Sequence, residues 1–378
     1  MTAVQSAPAA WPRPSAPLRS RVVYAAAHVV PVVGSDTTPG GRVDVDWDAT
    51  LGYRRDIWSY GLGVADAMDT AQRGMGLDWP AAAELIRRSS AEARAVGGAI
   101  ACGAGTDQLD LATLPGGERG LEAVLAAYRE QLEVVTGAGA TVILMASRAL
   151  ARVARSAEDY LRVYGTLLDE CPSPVVLHWL GPMFDPALTG YWGSTDVPTA
   201  TATLLQLIEQ NAAKVDGVKV SLLDADHEED LRARLPEGVR LYTGDDYNYP
   251  DLIVGDGTRH SDALLGIFAA IYPVASAAVQ ALDAGDDRRA HELLASTQDL
   301  ARHVFEPPTF HYKTGIAFLS WLNGRQPGFS LVGGLHAGRS VPHLVTLHRL
   351  AAEAGLLVDP DLAEHRLSAY LLTQGVGA

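Results

Sequence analysis

From residue 21 onward, short β-branched and apolar runs alternate with longer segments whose apolar positions recur at helical spacing. The extended runs fall at residues 21–27, 61–68, 99–103, 141–146, 174–180, 217–222, 240–243 and 252–254. Between them, residues 79–96, 120–137, 157–171, 199–214 and 228–234 carry apolar side chains every three or four positions, the pattern of an amphipathic helix. Strands that alternate with helices pair in parallel, and eight such units in roughly 250 residues predict a (β/α)8 TIM barrel, an α/β fold. A doubly wound sheet is the alternative. No Gly-x-Gly-x-x-Gly follows the first strand to mark a dinucleotide site there.

After Pro273 the strand pattern stops. Residues 274–304 read as helix broken at Ala284-Gly285-Asp286, and 312–323 and 342–355 read as further helices. The expected organisation is a disordered Ala/Pro/Ser-rich tail over 1–20, a barrel over 21–272 and a C-terminal helical domain over 273–378. The tail lacks the continuous apolar stretch of a signal peptide. No run reaches the ~18 apolar residues of a membrane-spanning helix.

Composition narrows the choice of partners. The net charge is −15 with no clustered Lys/Arg run, which argues against nucleic acid and anionic membrane. The two cysteines, Cys102 and Cys171, lie in apolar surroundings with no metal or redox spacing, so a reducing cytoplasm is the expected setting.

The chain holds 30 basic residues, but only three are lysines: Lys214, Lys219 and Lys313. Lys219 sits inside Gly217-Val-Lys-Val-Ser221. On a strand, Lys219 and Ser221 face one way while Val218 and Val220 face the other. An ammonium in such a place is desolvated, and a lowered pKa turns it into a nucleophilic amine. The plain alternative is a lysine that snorkels to the strand end or pairs with a carboxylate.

Working residues of such a barrel sit at the C-terminal strand ends. His28, after the first strand, reads as a satisfied core histidine. Asp69-Thr70-Ala-Gln72-Arg73-Gly74, after the second, is a polar cluster at a helix entry suited to holding a carboxylate or phosphate. His178 opens a long aromatic loop that includes Gly181, Asp185, Tyr191 and Trp192, a candidate pocket wall. Gly244-Asp245-Asp246 follows the seventh strand. Gly255 to Asp262, with His260 and Ser261, is taken to follow the eighth.

These stretches resemble the dihydrodipicolinate synthase and N-acetylneuraminate lyase family. The resemblance rests on Gly217-Val-Lys219, Tyr242-Thr-Gly244-Asp245-Asp246, Gly255-Asp-Gly257, His260-Ser261, the Ala284-Gly285-Asp286 break and the helix that bears Lys313. His178–Gly193 and Asp69–Gly74 resemble a divergent, functionally unassigned branch of it. The resemblance implies a Schiff base between Lys219 and a 2-keto acid, with Gly244 close to the substrate. It also implies a homodimer or homotetramer. Three positions depart from the family pattern. Asp69-Thr70-Ala71-Gln72-Arg73 replaces a Gly-Thr-Thr-Gly-Glu type motif, His178 stands where the family has a proton-shuttling tyrosine, and Ala146-Ser147-Arg148 replaces Pro-Tyr-Tyr.

The expected function is thus a lyase, aldolase or dehydratase acting on a small keto acid or sugar-derived substrate, with no cofactor and no metal. Lys219 is the nucleophile and His178 the general acid/base, with Tyr191 or Tyr242 as stand-ins. Thr70, Gln72 and Arg73 are assigned the anionic end of the substrate. Asp245, Asp246, His260, Ser261 and Asp262 are assigned its hydroxyls. The rival expectation is a metal-dependent isomerase or hydrolase built on His178, Asp185, Asp245, Asp246, His260 and Asp262.

Overall fold

A computed structural model describes residues 11–377. Eight parallel strands close into a barrel in sequence order: β1 (Val23–Ala26), β2 (Gly63–Asp66), β3 (Ile100–Ala104), β4 (Thr141–Leu144), β5 (Val175–Leu180), β6 (Val215–Ser221), β7 (Arg240–Thr243) and β8 (Asp262–Leu265). Helices alternate with them on the outside, and a C-terminal set of helices follows the last strand. The fold is the predicted TIM barrel.

Side-chain alternation creates two cores. Outward positions such as Val218 and Val220 on β6 and Leu177 and Trp179 on β5 pack under the surrounding helices. Inward positions form a smaller cluster of Ala26, Ala65, Ala101, Ile143, Val176, Tyr242 and Leu264. Alanines on three neighbouring strands leave room inside for the bulk of Met68, Met145 and Tyr242. A fully buried ion pair, Arg54 to Asp66 at 2.6 Å, ties the helix Trp47–Ser59 to the end of β2. That helix and Pro360–Thr373 escaped the sequence pattern.

One strand was misplaced. The expected eighth strand at residues 252–254 belongs to a helix, Tyr249–Val254, and β8 begins only at Asp262. Three consecutive apolar residues carry no period that separates strand from buried helix. The local chemistry favours helix: Pro250 stands in its first turn, and Gly255 at φ +78° ends it.

The second half of the expected disordered tail, 11–20, is ordered. Residues 1–10 lie outside the described residues, whereas 11–20 lie against the fold. Trp11 Nε1 donates to Gly355 O at 3.2 Å, and the Arg19 and Ser20 N–H groups donate to Asp283. One indole and one carboxylate anchor suffice to override a Pro- and Ser-rich composition. Among the described residues no helix is long and apolar enough to cross a membrane.

Candidate active site

On β6 the outward valines turn Lys219 into the barrel, beside His178 on β5 and Tyr242 on β7 in the sheet register. Only 6% of Lys219 is exposed. Burial pushes its pKa below the usual lysine value, and the carboxylates of Asp69 and Asp246 pull part of the way back. Desolvation therefore favours the neutral, nucleophilic amine.

Gly244 makes room for that lysine. Its N–H donates to Val220 O at 2.8 Å. A Cβ at this position would collide with Ser221 Oγ and stand 2.5 Å from Val220 O and 3.0 Å from Lys219 Cε. Here glycine is required by close approach.

Asp246 is almost fully buried and accepts from the Ile267 N–H at 2.8 Å. Burial raises its pKa to about 7, against the opposing pull of backbone donors and Lys219. A carboxyl of this kind exchanges a proton near neutrality. Opposite it, Thr70 lies in the turn Asp69–Ala71 after β2, and its Oγ1 meets the Tyr312 hydroxyl at 2.8 Å. Tyr312 comes from the helix Tyr312–Leu322 and stacks on Phe305 with ring centroids 4.4 Å apart. Asp69 and Asp246 both act on the Tyr312 phenol, whose pKa burial holds far above the usual value.

A cavity of about 270 Å³ opens at the same end of the barrel, lined among others by Asp69, Thr106, Ser147, Arg148, Asp185 and Leu188. Lys219 is not in its lining. Asp69, which acts on Lys219, links the two.

Several predicted roles require correction. His178 does stand next to Lys219, but it is fully buried and, among the described residues, its one polar contact is Ser221 Oγ at 3.5 Å. Burial, reinforced by Lys219, drives its pKa well below 6.5, so the ring is held as neutral imidazole and not as the imidazolium that the general-acid half of the expected role requires. Gln72 donates to Val332 O at 2.7 Å and ties the turn after β2 to the C-terminal region. Arg73 is spent on an ion pair with Asp107, on Gln131 Oε1 at 2.6 Å and on Gly103 O at 2.9 Å, leaving nothing for a substrate. Tyr191 is buried behind the cavity, where its hydroxyl accepts from Ser147 N at 2.9 Å and meets Tyr164 at 2.8 Å.

Asp245 caps its own loop, accepting from the N–H groups of Tyr247 and Asn248. His260 is exposed, and Ser261 donates to Glu228 outside the barrel at 2.8 Å. Asp262 accepts from Val22 N ahead of β1 and pairs with Arg240 at the start of β7, so it belongs to the opposite end of the barrel. His260 and Ser261 precede β8 and Asp262 is its first residue, a consequence of the misplaced strand.

The residues of the metal alternative are scattered by the same facts, with Asp185 paired to Arg148 and Asp245 turned to its own loop. Among the described residues, the group whose ligand atoms lie within 4.8 Å of one another is His303, Glu306 and His343. It belongs to the C-terminal helical region. Its imidazoles stack with centroids 4.0 Å apart and planes 22° from parallel, so their lone pairs do not converge on one ion.

The sequence reading missed Tyr312. No local signal marks it, since its role comes from a contact with Thr70 on a distant segment. The scarcity of lysine could have drawn attention to Lys313, which is buried next to it.

A sequence-family profile described as "Protein of unknown function (DUF993)" matches residues 1–376. No curated protein matches the sequence. Among solved structures, the dihydrodipicolinate synthase of Aquifex aeolicus is similar at 15% identity and a TM-score of 0.65, covering 89% of this chain and 99% of its own. YagE, a prophage protein of the dihydrodipicolinic acid synthase family from E. coli K12 in complex with pyruvate, is similar at 14% identity and a TM-score of 0.66, with 89% and 99% covered. The 4-hydroxy-tetrahydrodipicolinate synthase of Methylacidiphilum fumariolicum SolV matches at 15% identity and a TM-score of 0.66, with 91% and 98% covered. At such identities the likeness shows the fold, and the fold is that of the dihydrodipicolinate synthase family.

Proposed function

The chain belongs to the DUF993 family, and from that premise we propose that it is a class I lyase or aldolase that forms a Schiff base through Lys219. The substrate is a small ketone of the 2-keto acid or keto-sugar class. One observation carries the reading. A lysine in a lysine-poor chain points into the barrel, nearly fully buried, with its pKa lowered. The pyruvate held by YagE, a protein of the same fold, agrees with a keto-acid substrate.

The neutral Lys219 amine attacks the ketone carbon, and the C–N bond forms as the carbonyl π bond opens. The developing alkoxide takes a proton from Tyr312, which Thr70 orients, and the attacking nitrogen returns a proton to the phenolate to give the neutral carbinolamine. The carbinolamine then loses water, with Asp246 supplying the proton that this dehydration consumes overall. Its carboxylate is left facing the iminium. The iminium draws in the electrons of the bond between the substrate's α and β carbons, which become the enamine double bond. In the same step the β-hydroxyl gives its proton to the Asp246 carboxylate and becomes the carbonyl of the released fragment; the aldolase direction is the same step in reverse. A dehydratase of a keto-deoxy sugar acid uses the same groups. His178, in this reading, packs against Lys219 as a neutral ring and denies the ammonium solvent.

Borohydride reduction in the presence of pyruvate and a panel of keto sugar acids tests the proposal. An adduct mapped to Lys219 supports it, and the adduct mass reports the substrate. Absence of an adduct with every ketone overturns it. Assembly into a homodimer or homotetramer belongs to the same proposal and is read by light scattering on the purified protein.

A further inference from the structure

The cations around the barrel mouth are not equally occupied. Arg73 is saturated by Asp107, Gln131 and two backbone carbonyls. Arg148 is paired with Asp185. Lys313 is different. It is 2% exposed, and its ammonium contacts only Phe310 O at 3.1 Å, Met75 Sδ at 3.5 Å and the face of Tyr312 at 4.6 Å. Among the described residues no carboxylate lies within ion-pair reach of it. A buried ammonium without a counterion is costly, and a thioether is a weak acceptor.

We propose that Lys313 is the anchor for an anionic group, a carboxylate or phosphate, at the end of the substrate remote from the reacting carbonyl. This rests on the assignment of Lys219 as the imine-forming residue. Asp69 fixes the direction. Its carboxylate acts on both lysines and lines the cavity, so Lys219 and Lys313 share it as a neighbour. Neither lysine is among the residues that line the cavity, so an anion reaches Lys313 only when Met75 moves aside. The other charges that act on Lys313 come from Arg148 and Asp185, both in the cavity wall.

Met75 is the stopper. It is half-buried between Gly74 at φ +68° and Gly76 at φ +123°, in a turn that only glycines form without strain. Its unbranched, flexible side chain can leave the ammonium when an anion arrives. Burial lowers the Lys313 pKa to about 8. A bound anion would raise it again, and the complex would take up a proton near that pH.

The test is borohydride trapping on Lys219 with matched ketones: dihydroxyacetone against dihydroxyacetone phosphate, and 2-pentanone against 4-oxopentanoate. The wild-type protein is expected to be half-trapped at a concentration at least tenfold lower for one anionic member than for its neutral partner. A preference confined to the phosphate pair or the carboxylate pair identifies the group. Lys313→Met should bring that ratio to near one, and Lys313→Arg should restore part of it. An unchanged ratio in Lys313→Met, or no preference in the wild type, overturns the proposal. A second arm separates it from the imine chemistry. Lys219→Ala cannot form an imine, yet inorganic phosphate or 4-oxopentanoate should raise its Tm, and Lys313→Met added to it should abolish the rise. If the wild type forms no adduct but this rise is seen, the Lys219 reading fails and the anion site stands. If neither is seen, both fail.

Discussion

The hydroxyls of Thr70 and Tyr312 meet at 2.8 Å although 242 residues of chain separate them. One lies in the turn after β2 and the other begins a helix of the C-terminal region, so the helical region supplies part of the mouth in which Lys219 lies. In the proposed mechanism a phenol held in this way, with Asp69 and Asp246 acting on it, gives its proton to the alkoxide that forms as Lys219 attacks.

Tyr312→Phe removes that proton and little else, because the ring keeps its stack on Phe305. The rate of adduct formation at Lys219 should fall by roughly 10²-fold or more, the usual scale of a positioned general acid. The final extent of trapping should remain. Rapid-quench borohydride trapping with intact-mass readout checks this, and an unchanged rate would return the proton transfer to another group.

Lys219→Met should abolish the adduct without harming the fold. A buried cation replaced by an apolar side chain of similar volume leaves stability equal or higher. Thermal unfolding monitored by circular dichroism should show a Tm no lower than wild type. A mutant still trapped by borohydride would place the imine on Lys313 or Lys214.

Gly244→Ala introduces a methyl group against the backbone carbonyl of Val220 and the chain of Lys219. Overpacking of this kind costs about 1–3 kcal/mol. Because the clash includes Lys219 Cε, the yield of adduct should fall as well. Urea unfolding and trapping on the same preparation would show both losses together. Gly257→Ala, where nothing lies within 4 Å, is strained only by its φ of +84° and should leave trapping intact.

Glu228 gives a pH test away from the site. Its carboxyl accepts from Thr243 Oγ1 at 2.9 Å and Ser261 Oγ at 2.8 Å, and burial raises its pKa to about 8. Between its ordinary value of 4.5 and about 8 the folded protein holds a proton that the unfolded chain has released. The stabilisation from this group is therefore full below 4.5 and is lost as the pH rises through 8. Glu228→Gln keeps an oxygen acceptor but cannot ionise. Its stability relative to wild type should climb from pH 5 to pH 9 in denaturant titrations ~1 pH unit apart. A flat difference would mean that Glu228 is ionised at neutrality.

The alternation of strand and helix, seven of the eight strands and the helical C-terminal region are legible in the linear sequence. So is the inward face of Lys219, because Val218 and Val220 on either side can only turn outward to the helices. Periods of two and near four report which side of an element is buried, and a barrel follows from how often they alternate. Lys219 itself stood out through the rarity of its residue type.

What surrounds Lys219 was decided only in three dimensions. Arg73 looked free in the sequence and is consumed by Asp107 and Gln131, which lie 34 and 58 residues away. His260, Ser261 and Asp262 looked like residues at the C-terminal end of a strand and lie before or at the start of β8, because three apolar residues at 252–254 folded as helix. Tyr312 reached the mouth with no local sign, and Lys313 with none but the rarity of its residue type. Periodicity fixes the facing of a side chain within its own element. Whether a charge meets a partner, and whether a hydroxyl finds a carbonyl or a substrate, depends on packing between distant segments, which no local pattern encodes.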